Sequence, residues 1–552
     1  MPLPLSFGGV LKASVLCSVA ASLFELVAAS PVVRIDTGLV RGKRIPTDNG
    51  DVDAFLGIPY AQPPVGNLRL SRPQPAKPWN GTYAATEPPT PCFQPDQWEN
   101  DDARMNYSSS AEDCLYINVW RPSGVCPEEA LCNTTGLPVL VFLHGGAFQF
   151  GDSGLRVYDG REFVALTKVV FVTLNYRLYF YGFLSMENSA LPGNMGLWDQ
   201  LMALKWVHRN IRHFGGNERD VTLSGHSAGA IAAGLHSVSP TSRGLFRRVI
   251  LQSGTPLTMI LALSYSGVTK FVNVAVALGC YEVGRTLDAQ IDSVVGCLKR
   301  VDYVSLRTKM ATMQPRRQMF LPVYGDDMLP FHPLDNDGIE MHVKEMFLGT
   351  VMDEGTFMVY ALRAAVPYLM DFFALDYRMA ITVGLKFAFD IPTHLGKNIV
   401  QAYFGDYGVL HDNDAIVDIL AKLIGDAAFD CATNFFAEKG AEQGVQTYRY
   451  LFAHKPSYSF WPEWVGIAHG SELPLTVGSL GLFKTEPRFT SPSGKYGDNV
   501  RNQKASQEDQ LFMTQLLEIW SSFVRDGCVR EKAAIIKYVV EKRRCHRHTA
   551  RV

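Results

Sequence analysis

The sequence carries little net charge and no long basic run before its last residues. Its 552 residues include 52 Lys and Arg against 54 Asp and Glu, a formal net charge of -2, and 47% of the residues are hydrophobic. Positive and negative charges are nearly equal in number, so the chain lacks the excess of basic residues that proteins binding nucleic acid carry. The high hydrophobic content excludes an intrinsically disordered chain. We expect a globular protein without a nucleic-acid partner, ending in a short basic tail from Lys542 to Arg551.

Long apolar runs are also absent once the N-terminus is passed. No segment after about residue 30 reaches the roughly 18 uninterrupted apolar residues of a membrane span, so no stable membrane anchor is predicted. Residues 1–29 differ, because Lys12 precedes an apolar run that ends in small residues, as in a cleaved signal peptide. Glu25 interrupts this run, which leaves an uncleaved anchor or a buried N-terminal helix as alternatives. The pattern favours a secreted protein whose mature chain, residues 30–552, is a single domain.

Three sequons fit the same secretory pathway. They place candidate N-glycans at Asn80, Asn106 and Asn133, in stretches rich in Pro, Gly and Ser that are typical of surface loops. These positions therefore predict a glycoprotein.

The ten cysteines predict local disulfides. Cys17 lies in the signal segment, so nine remain and at least one stays unpaired in an oxidising compartment. Short loops close most readily, which favours three pairs: Cys92 with Cys114, Cys126 with Cys132, and Cys280 with Cys297. The pairing of the other three stays open: Cys431, Cys528 and Cys545.

Short β-branched runs alternate with longer amphipathic patterns, which is typical of βαβ units and a mostly parallel sheet. Six segments are each predicted to contain a strand: 138–148, 169–177, 220–230, 247–254, 347–353 and 447–454. Residues 197–216 have apolar positions three and four apart and end in two glycines, which predicts a crossover helix. The region from about Ala361 to Glu438 is predicted to be helical. The fold class is therefore α/β, without internal repeats or a long linker.

The strongest chemical motif is Gly225-His226-Ser227-Ala228-Gly229, which directly follows a predicted strand and precedes a helical pattern. A G-x-S-x-G sequence in this context is a nucleophile elbow, a sharp turn that holds a serine in strained geometry with its Oγ above the sheet. Flanking glycines avoid the clashes that a Cβ would make in so tight a turn. Ser227 is therefore the predicted catalytic nucleophile.

A second glycine-rich turn, His144-Gly145-Gly146-Ala147-Phe148, ends an earlier predicted strand. A loop of this type supplies backbone N–H donors to the negative charge that develops on a carbonyl oxygen. We predict that the oxyanion hole is formed by the N–H groups of Gly146, Ala147 and Ala228. A plain turn would explain the glycines, but not their occurrence together with a serine elbow.

Four longer stretches then match one family in the family's own order: FLGIPYAQPPVGNLRLSRPQP from Phe55, AEDCLYINVW from Ala111, GNMGLWDQLMALKWVHRNI from Gly193 and VTLSGHSAGA from Val221. The chain resembles the carboxylesterase type B and cholinesterase family over nearly its whole mature length, and its signal peptide and sequons resemble those of secreted fungal members. The resemblance implies an α/β-hydrolase fold, with a mostly parallel central sheet, flanking helices and helical insertions. It also implies the Cys92–Cys114 disulfide and an ion pair between Arg69 and Glu112 beside it.

The resemblance also identifies the acid and the base, which in this fold follow the serine along the chain. His469 in His469-Gly470-Ser471-Glu472 matches the family's H-G-x-E, and Glu354 matches its D-E-G. Asp353 is adjacent and chemically able, so it stays an alternative acid. In such a triad His469 accepts the serine proton and Glu354 fixes the imidazole tautomer. The implied reaction is hydrolysis of a small-molecule ester through an acyl-enzyme, with no metal or organic cofactor.

Three positions bear on substrate choice and support of the triad. Ser253 resembles a serine that supports the histidine in this family, although a strand-end hydroxyl is the plainer explanation. His226 stands where cholinesterases have Glu, and it either tunes the field around Ser227 or is a neutral packing residue. Met105 occupies the place of the aromatic residue that holds choline, so choline esters are disfavoured; Trp98 would substitute only if its loop winds differently.

Other functions stay open as alternatives. The 21 residues between Cys92 and Cys114 are mostly polar or acidic, so they offer little of the apolar face that a lipase lid needs. We therefore favour a carboxylesterase of soluble esters over a lipase of longer-chain acylglycerols. The Phe and Met-rich segments 310–320 and 357–373 are candidates for lining the substrate pockets, or for the core. A secondary-metabolite esterase, an acyl-transfer enzyme and a non-catalytic adhesion protein are the remaining alternatives, and no oligomeric state is predicted.

Overall fold

The fold is described from a computed structural model over the following stretches of the chain: residues 30–94, 110–125, 136–188, 190–258, 267–312, 319–333, 340–365, 369–389, 391–405, 413–458, 461–484 and 505–529. Several predicted features lie outside the described residues: the signal peptide, Asn106, Asn133, Cys126, Cys132, Cys545, Trp98, Met105 and the basic tail.

Two sheets contain the strands of the described residues. These strands are β1 (Val32–Ile35), β2 (Gly38–Arg41), β3 (Lys43–Ile45), β4 (Val52–Pro59), β5 (Thr82–Ala84), β6 (Tyr116–Pro122), β7 (Leu137–Leu143), β8 (Val170–Leu174), β9 (Gly216–His226), β10 (Arg248–Gln252), β11 (Glu345–Val351) and β12 (Gln446–Phe452). Strands β1, β2 and β5 form a small sheet. The other nine form one large sheet, in the order β12-β11-β10-β9-β7-β8-β6-β4-β3.

The large sheet is parallel from β8 to β12 and antiparallel at its other edge. Strands β8, β7, β9, β10, β11 and β12 pair in parallel with their neighbours, whereas β3, β4, β6 and β8 pair antiparallel. The chain leaves β7 for β8 on one side and returns to β9 on the other. In sheets of this kind, ligands bind outside the carboxyl ends of the strands near such a switch point.

Both faces of the central strands are covered, which explains their uninterrupted apolar sequences. In β7, Val139, Val141 and Leu143 pack into one buried cluster, whereas Leu140 and Phe142 pack into a second. Strand β8 divides its side chains between the two clusters in the same way. A parallel sheet with two buried faces needs apolar residues at every position.

Helices cover the sheet and form the insertions. They are α1 (Arg161–Thr167), α2 (Tyr179–Phe183), α3 (Met195–Asn210), α4 (Ala228–Val238), α5 (Gly267–Ala277), α6 (Ile291–Arg300), α7 (Tyr303–Thr312), α8 (Thr356–Ala365), α9 (Leu369–Phe389), α10 (Thr393–Phe404), α11 (Asn413–Gly425), α12 (Cys431–Glu442), α13 (Leu473–Thr476) and α14 (Gln507–Asp526). Non-helical φ and ψ at Asp376 interrupt α9, and a π-helical turn, Asp426–Asp430, joins α11 to α12. Within the described stretches, none of these helices is long and apolar enough to cross a membrane.

The predicted α/β fold, with its mostly parallel sheet between helices, is confirmed. The six predicted strand segments contain or overlap β7 to β12, and the predicted crossover helix is α3, followed by a 3₁₀ turn from Ile211 to Phe214. The pattern missed β1 to β6. These strands are short or lie in the antiparallel part of the structure, where alternation is weaker than the continuous apolar runs of the parallel strands.

A buried ion pair lies just after β8, and we expect the protein to lose much of its stability when this pair is broken. Asp199 accepts two guanidinium hydrogen bonds from Arg177, at 2.6 and 2.7 Å, and the side chains of Asp199 and Arg177 are 0% and 3% exposed. Replacing Asp199 with Ala would leave the guanidinium buried without its anion, so we expect the free energy of unfolding to fall by about 3–5 kcal/mol. Asp36→Ala is the control: it removes a surface pair with Arg209 whose side chains are 40% and 44% exposed, and it should cost less than about 1 kcal/mol. Thermal unfolding compares the two variants, and equal shifts would contradict the prediction.

Candidate active site

The carboxyl ends of neighbouring strands bring the motif residues to one edge of the large sheet. His144 follows β7, Ser227 follows β9, Ser253 follows β10 and Glu354 lies three residues beyond β11. Strand β9 pairs with both β7 and β10, and β10 pairs with β11. The turns that carry these residues are therefore adjacent.

Ser227 occupies a strained turn between β9 and α4. Its backbone has φ 55° and ψ −124°, a region that residues with a Cβ rarely adopt and that is typical of a nucleophile elbow. Its N–H donates to the carbonyl of Gln252 at 2.8 Å, and its carbonyl accepts from the N–H of Ile231 at 2.9 Å. Strand β10 and the first turn of α4 thus hold the turn in place.

The two outer glycines of the motif are required by close backbone packing. A Cβ on Gly225 would overlap the backbone of Gly229, and a Cβ on Gly229 would overlap the carbonyl of Leu143 at the end of β7. Helix α4 can therefore start directly above the sheet only because both positions lack a side chain.

The loop after β7 passes beside the serine turn. A Cβ on Gly145 would lie 3.1 Å from the Cβ of Ser227. Gly146 has φ 115° and Ala147 has φ 53°, so this loop is also strained, and a Cβ on Gly146 would overlap the carbonyl of Phe150. The predicted donors Gly146 and Ala147 lie on this loop, whereas Ala228 begins α4, where an N–H has no acceptor within its own helix.

Two buried glutamines fix this loop, and the sequence analysis did not identify them. Gln149 donates to the carbonyl of Ala147 at 2.9 Å and to that of Phe320 at 2.6 Å. Gln94 accepts from the N–H of Gly151 at 2.8 Å. These bonds connect the strained loop and the residue after it to the segments that carry Phe320 and Gln94.

Glu354 and His469 are in direct contact. The Nδ1 atom of His469 lies 2.6 Å from Oε2 of Glu354, whose Oε1 accepts from the N–H of Val351 at 2.9 Å. A carboxylate at this distance keeps the hydrogen on Nδ1 and leaves Nε2 as the basic nitrogen. The Nε2 atom is buried and has no hydrogen-bond partner among the described residues.

The neighbouring carboxylate of Asp353 has a different partner. Its Oδ2 accepts from the N–H of Ile467 at 2.8 Å, and its own N–H donates to the carbonyl of Ile467 at 3.2 Å. Asp353 therefore holds the segment that precedes His469 against the end of β11.

Three rings surround the imidazole of His469. Phe357 stacks on it with centroids 4.8 Å apart at an interplanar angle of 18°, Phe429 lies at 4.7 Å and His226 at 4.6 Å. Phe357 belongs to a segment that was predicted to line a pocket. Phe429 comes from the π-helical turn, a local irregularity that no sequence pattern announced. The rings restrict rotation of the imidazole, and aromatic faces favour a cation placed over them.

A buried carboxyl group lies beside His226 and Ser253. The Oε1 atom of Glu472 is 3.7 Å from Nε2 of His226, and all three side chains are buried. Burial and the charge of Glu354 raise the pKa of Glu472 to about 8, although the Ser253 hydroxyl and nearby backbone N–H groups oppose the rise. Burial and the nearby His469 hold the pKa of His226 well below its usual value. Ser253 therefore lies next to Glu472, a neighbour that the sequence analysis did not assign to it.

Other histidines have structural surroundings. Burial lowers the pKa of His144 to about 4, and its ring stacks on Tyr176 at 4.5 Å. His236 is buried between Ser242 and Gln200, with hydrogen bonds of 2.7 and 3.0 Å. Across the described ranges, no group of three His, Cys, Asp or Glu side chains is arranged to hold a metal ion.

Two of the three predicted disulfides lie among the described residues, and both are formed: Cys92–Cys114 and Cys280–Cys297. Arg69 binds Glu112 with two nitrogens, at 2.5 and 2.9 Å, close to the first of them. Asn80 is exposed, as a glycosylation site requires.

Comparison with known proteins gives two kinds of match. Residues 29–539 match the carboxylesterase family. Acetylcholinesterase-1 of Trittame loki is 32% identical over 523 residues, which is 91% of this chain and 87% of that protein. Acetylcholinesterase of Bungarus fasciatus is 34% identical over 511 residues, which is 90% of this chain and 78% of that protein. The fungal character suggested by the signal peptide and sequons stays a prediction.

Proposed function

Because the chain belongs to the carboxylesterase family and is a carboxylic ester hydrolase, we propose that it works through a triad of Ser227, His469 and Glu354. The observation that carries the proposal is the 2.6 Å contact between Glu354 and His469. It occurs at the same sheet edge as a serine with φ 55° in a G-x-S-x-G turn. Base, acid and strained nucleophile are the components that acyl transfer by a serine hydrolase needs.

In this mechanism Nε2 of His469 takes the hydroxyl proton as Oγ of Ser227 attacks the ester carbonyl. The imidazolium that results is stabilised by Glu354 and then gives its proton to the leaving alcohol. Water repeats the sequence on the acyl-enzyme and releases the acid, so the chemistry needs no metal or organic cofactor.

The negative charge on the tetrahedral oxygen is assigned to the N–H groups of Gly146, Ala147 and Ala228. The strained φ values of the loop and its tethering by Gln149 support this assignment, because a fixed set of donors stabilises charge without reorganising. Each such donor contributes about 2.7–4 kcal/mol to lowering the barrier.

Soluble, uncharged esters of short acids are the proposed substrate class. The support is that His226, a neutral buried ring, stands beside the nucleophile, where it supplies no negative charge for a cationic headgroup. Choline esters are the second candidate, because the two relatives are named acetylcholinesterases. Lipase activity, acyl transfer to another alcohol and a purely adhesive role are further outcomes of the same test.

We expect p-nitrophenyl acetate and butyrate to be hydrolysed faster than the octanoate and palmitate, and faster than butyrylthiocholine. The physical reason is that neither a cation-attracting group at position 226 nor a broad apolar lid sequence is present in this chain. Spectrophotometric kcat/KM values for the five esters check the order. A maximum at palmitate would indicate a lipase, faster turnover of butyrylthiocholine would indicate a cholinesterase, and no serine-dependent turnover from folded protein would contradict the triad.

Secretion is proposed together with the activity. It is supported by the N-terminal pattern of residues 1–29, by the two disulfides and by the exposed sequon at Asn80. The disulfides are compatible with an oxidising, extracellular location.

A further inference from the structure

Four buried polar atoms beside the triad make no hydrogen bond of normal geometry among the described residues, although the Ser253 hydroxyl lies close enough to Glu472 to oppose the rise in the pKa of that carboxyl group. They are Nε2 of His226, Oγ of Ser253 and both carboxyl oxygens of Glu472. The exposed fractions of the three residues are 5%, 0% and 0%. Native proteins pair nearly all buried polar atoms, so such a group needs a specific explanation.

An ionised Glu472 would be poorly compensated at this place. Among the described residues its ion-pair contact is with His226, and that histidine is itself disfavoured as a cation by burial and by His469. An isolated carboxylate in a dry interior is so costly that the group binds a proton instead. The nearby charge of Glu354 acts in the same direction, because two adjacent carboxylates resist ionising together.

We propose that Glu472 and His226 are a specificity-determining pair that shares one proton, held as O–H of Glu472 and directed at Nε2 of His226. The pair is then uncharged at neutral pH, and it lies between the nucleophile turn and the loop of His469. This inference rests on the proposed function. According to this proposal, Glu472 becomes a negatively charged carboxylate only in alkaline solution.

The distance supports a shared proton. The gap of 3.7 Å between Oε1 and Nε2 is roughly 0.8 Å longer than a typical hydrogen bond, which a small rotation of either side chain closes. A shared proton gives Nε2 of His226 and Oε1 of Glu472 a hydrogen bond to each other. The second carboxyl oxygen of Glu472 can then accept a hydrogen bond from the hydroxyl of Ser253.

Several other titratable groups face this pair. Glu354 acts electrostatically on Glu472 and His469 on His226, and the charge of Glu472 acts in turn on the phenols of Tyr158, Tyr450 and Tyr458. Asp430 lies near Glu354, and burial raises its pKa to about 6. Burial of the three tyrosines raises their pKa values far above the physiological range. Ionisation of Glu472 is therefore expected at a higher pH than that of Asp430 and at a lower pH than that of the phenols.

The consequence is a pH-dependent preference between cationic and neutral esters. Once Glu472 ionises, its negative charge attracts a quaternary ammonium group near the triad, so discrimination against that group falls. We expect the ratio of kcat/KM for butyrylthiocholine to kcat/KM for its uncharged carbon isostere to rise about tenfold between about pH 7 and 9.5. The ratio cancels any pH dependence of the chemical step that the two substrates share, because both react at the same serine and imidazole.

Glu472→Gln is the test variant, because an amide imitates the protonated acid in shape and charge. Its ratio should stay flat over the same pH range, whereas Asp430→Asn, the matched control at another buried acid, should keep the rise. A flat wild-type ratio, or a rise that survives in Glu472→Gln, would overturn the proposal. If the rise were lost only in Asp430→Asn, the effect would belong to the carboxyl group of Asp430, and the proposal for Glu472 would be overturned.

Two further measurements keep the proposal falsifiable if Glu472→Gln does not fold or if the proposed function fails. In His226→Gln the new amide can donate to the carboxylate, so the midpoint of the rise should move to lower pH; an unchanged midpoint would contradict sharing. Difference infrared spectra of the wild type should show a protonated carboxyl band at neutral pH that disappears in alkaline solution and is absent from Glu472→Gln. This band needs no substrate, so its loss or persistence tests the pair separately from ester hydrolysis.

Discussion

Replacing Ser227 with Ala is expected to lower kcat for p-nitrophenyl butyrate by ~10⁴- to 10⁶-fold, since the nucleophile of the acyl-enzyme is lost while the remaining site persists. Ala fits the turn without new bulk, so folding and the thermal unfolding temperature should stay near those of the wild type. Steady-state kinetics together with a thermal melt separate lost chemistry from lost structure.

Ser237→Ala is the matched control for this variant. Ser237 lies in the same helix, α4, and its hydroxyl donates to the carbonyl of Gly234 at 2.6 Å. Its loss removes one local hydrogen bond, worth about 0.5–1.5 kcal/mol of stability, and should leave kcat unchanged. A folded Ser227→Ala protein that retains more than a small fraction of wild-type activity would refute Ser227 as the nucleophile.

Glu354→Gln is expected to lower kcat by ~10³- to 10⁴-fold without unfolding the protein. The amide can still accept from the N–H of Val351, but its NH₂ group would face Nδ1 of His469. The imidazole would then carry its hydrogen on Nε2, the nitrogen that must accept the serine proton. Measuring kcat for the folded variant checks this loss.

The adjacent carboxylate gives the matched comparison for Glu354. In Asp353→Asn the side-chain oxygen can still accept from the N–H of Ile467, so we expect kcat to fall by no more than about tenfold. If Asp353→Asn lost as much activity as Glu354→Gln, the two carboxylates would have to exchange roles or share one.

The parallel part of the fold was predictable because the residues that each of its strands needs form a recognisable pattern within a short stretch of sequence. Strands buried on both faces need continuous apolar runs, as in β7 and β8, and the glycines of the serine motif reflect a backbone approach that excludes a Cβ. The antiparallel edge was not predictable in the same way. Strand β3 has three residues and pairs with a neighbour through contacts that no local pattern specifies.

The site shows a similar division. Ser227, Glu354 and His469 lie in short motifs that a resemblance can identify one residue at a time, although their roles stay a proposal. Phe429 and Gln149 could not be found in that way, because each reaches the site through the tertiary fold: one from a π-helical turn, and the other through a bond to Phe320. Glu472 is the last residue of the His469-Gly470-Ser471-Glu472 motif, but its burial beside His226 is a property of the folded chain.

His226 stands where cholinesterases have Glu, and its surroundings in the fold bear on its role. The sequence left it as either a residue that tunes the field or a packing residue. Its burial, its ring contact with His469 and its 3.7 Å distance from Glu472 are the observations behind the first interpretation, which stays a prediction. In our proposal the field is tuned by the pair of His226 and Glu472, since an isolated ion on either side chain would be costly in this interior.

Covalent labelling is the direct test of whether Ser227 is the activated nucleophile of this chain. The folded wild type would be treated with a fluorophosphonate, digested and mapped by mass spectrometry, in parallel with Ser227→Ala and Glu354→Gln. We expect one adduct on the peptide that contains Ser227, none on the same peptide of Ser227→Ala, and slow labelling of Glu354→Gln. An unlabelled wild type, or an adduct that persists on another residue in Ser227→Ala, would contradict this expectation.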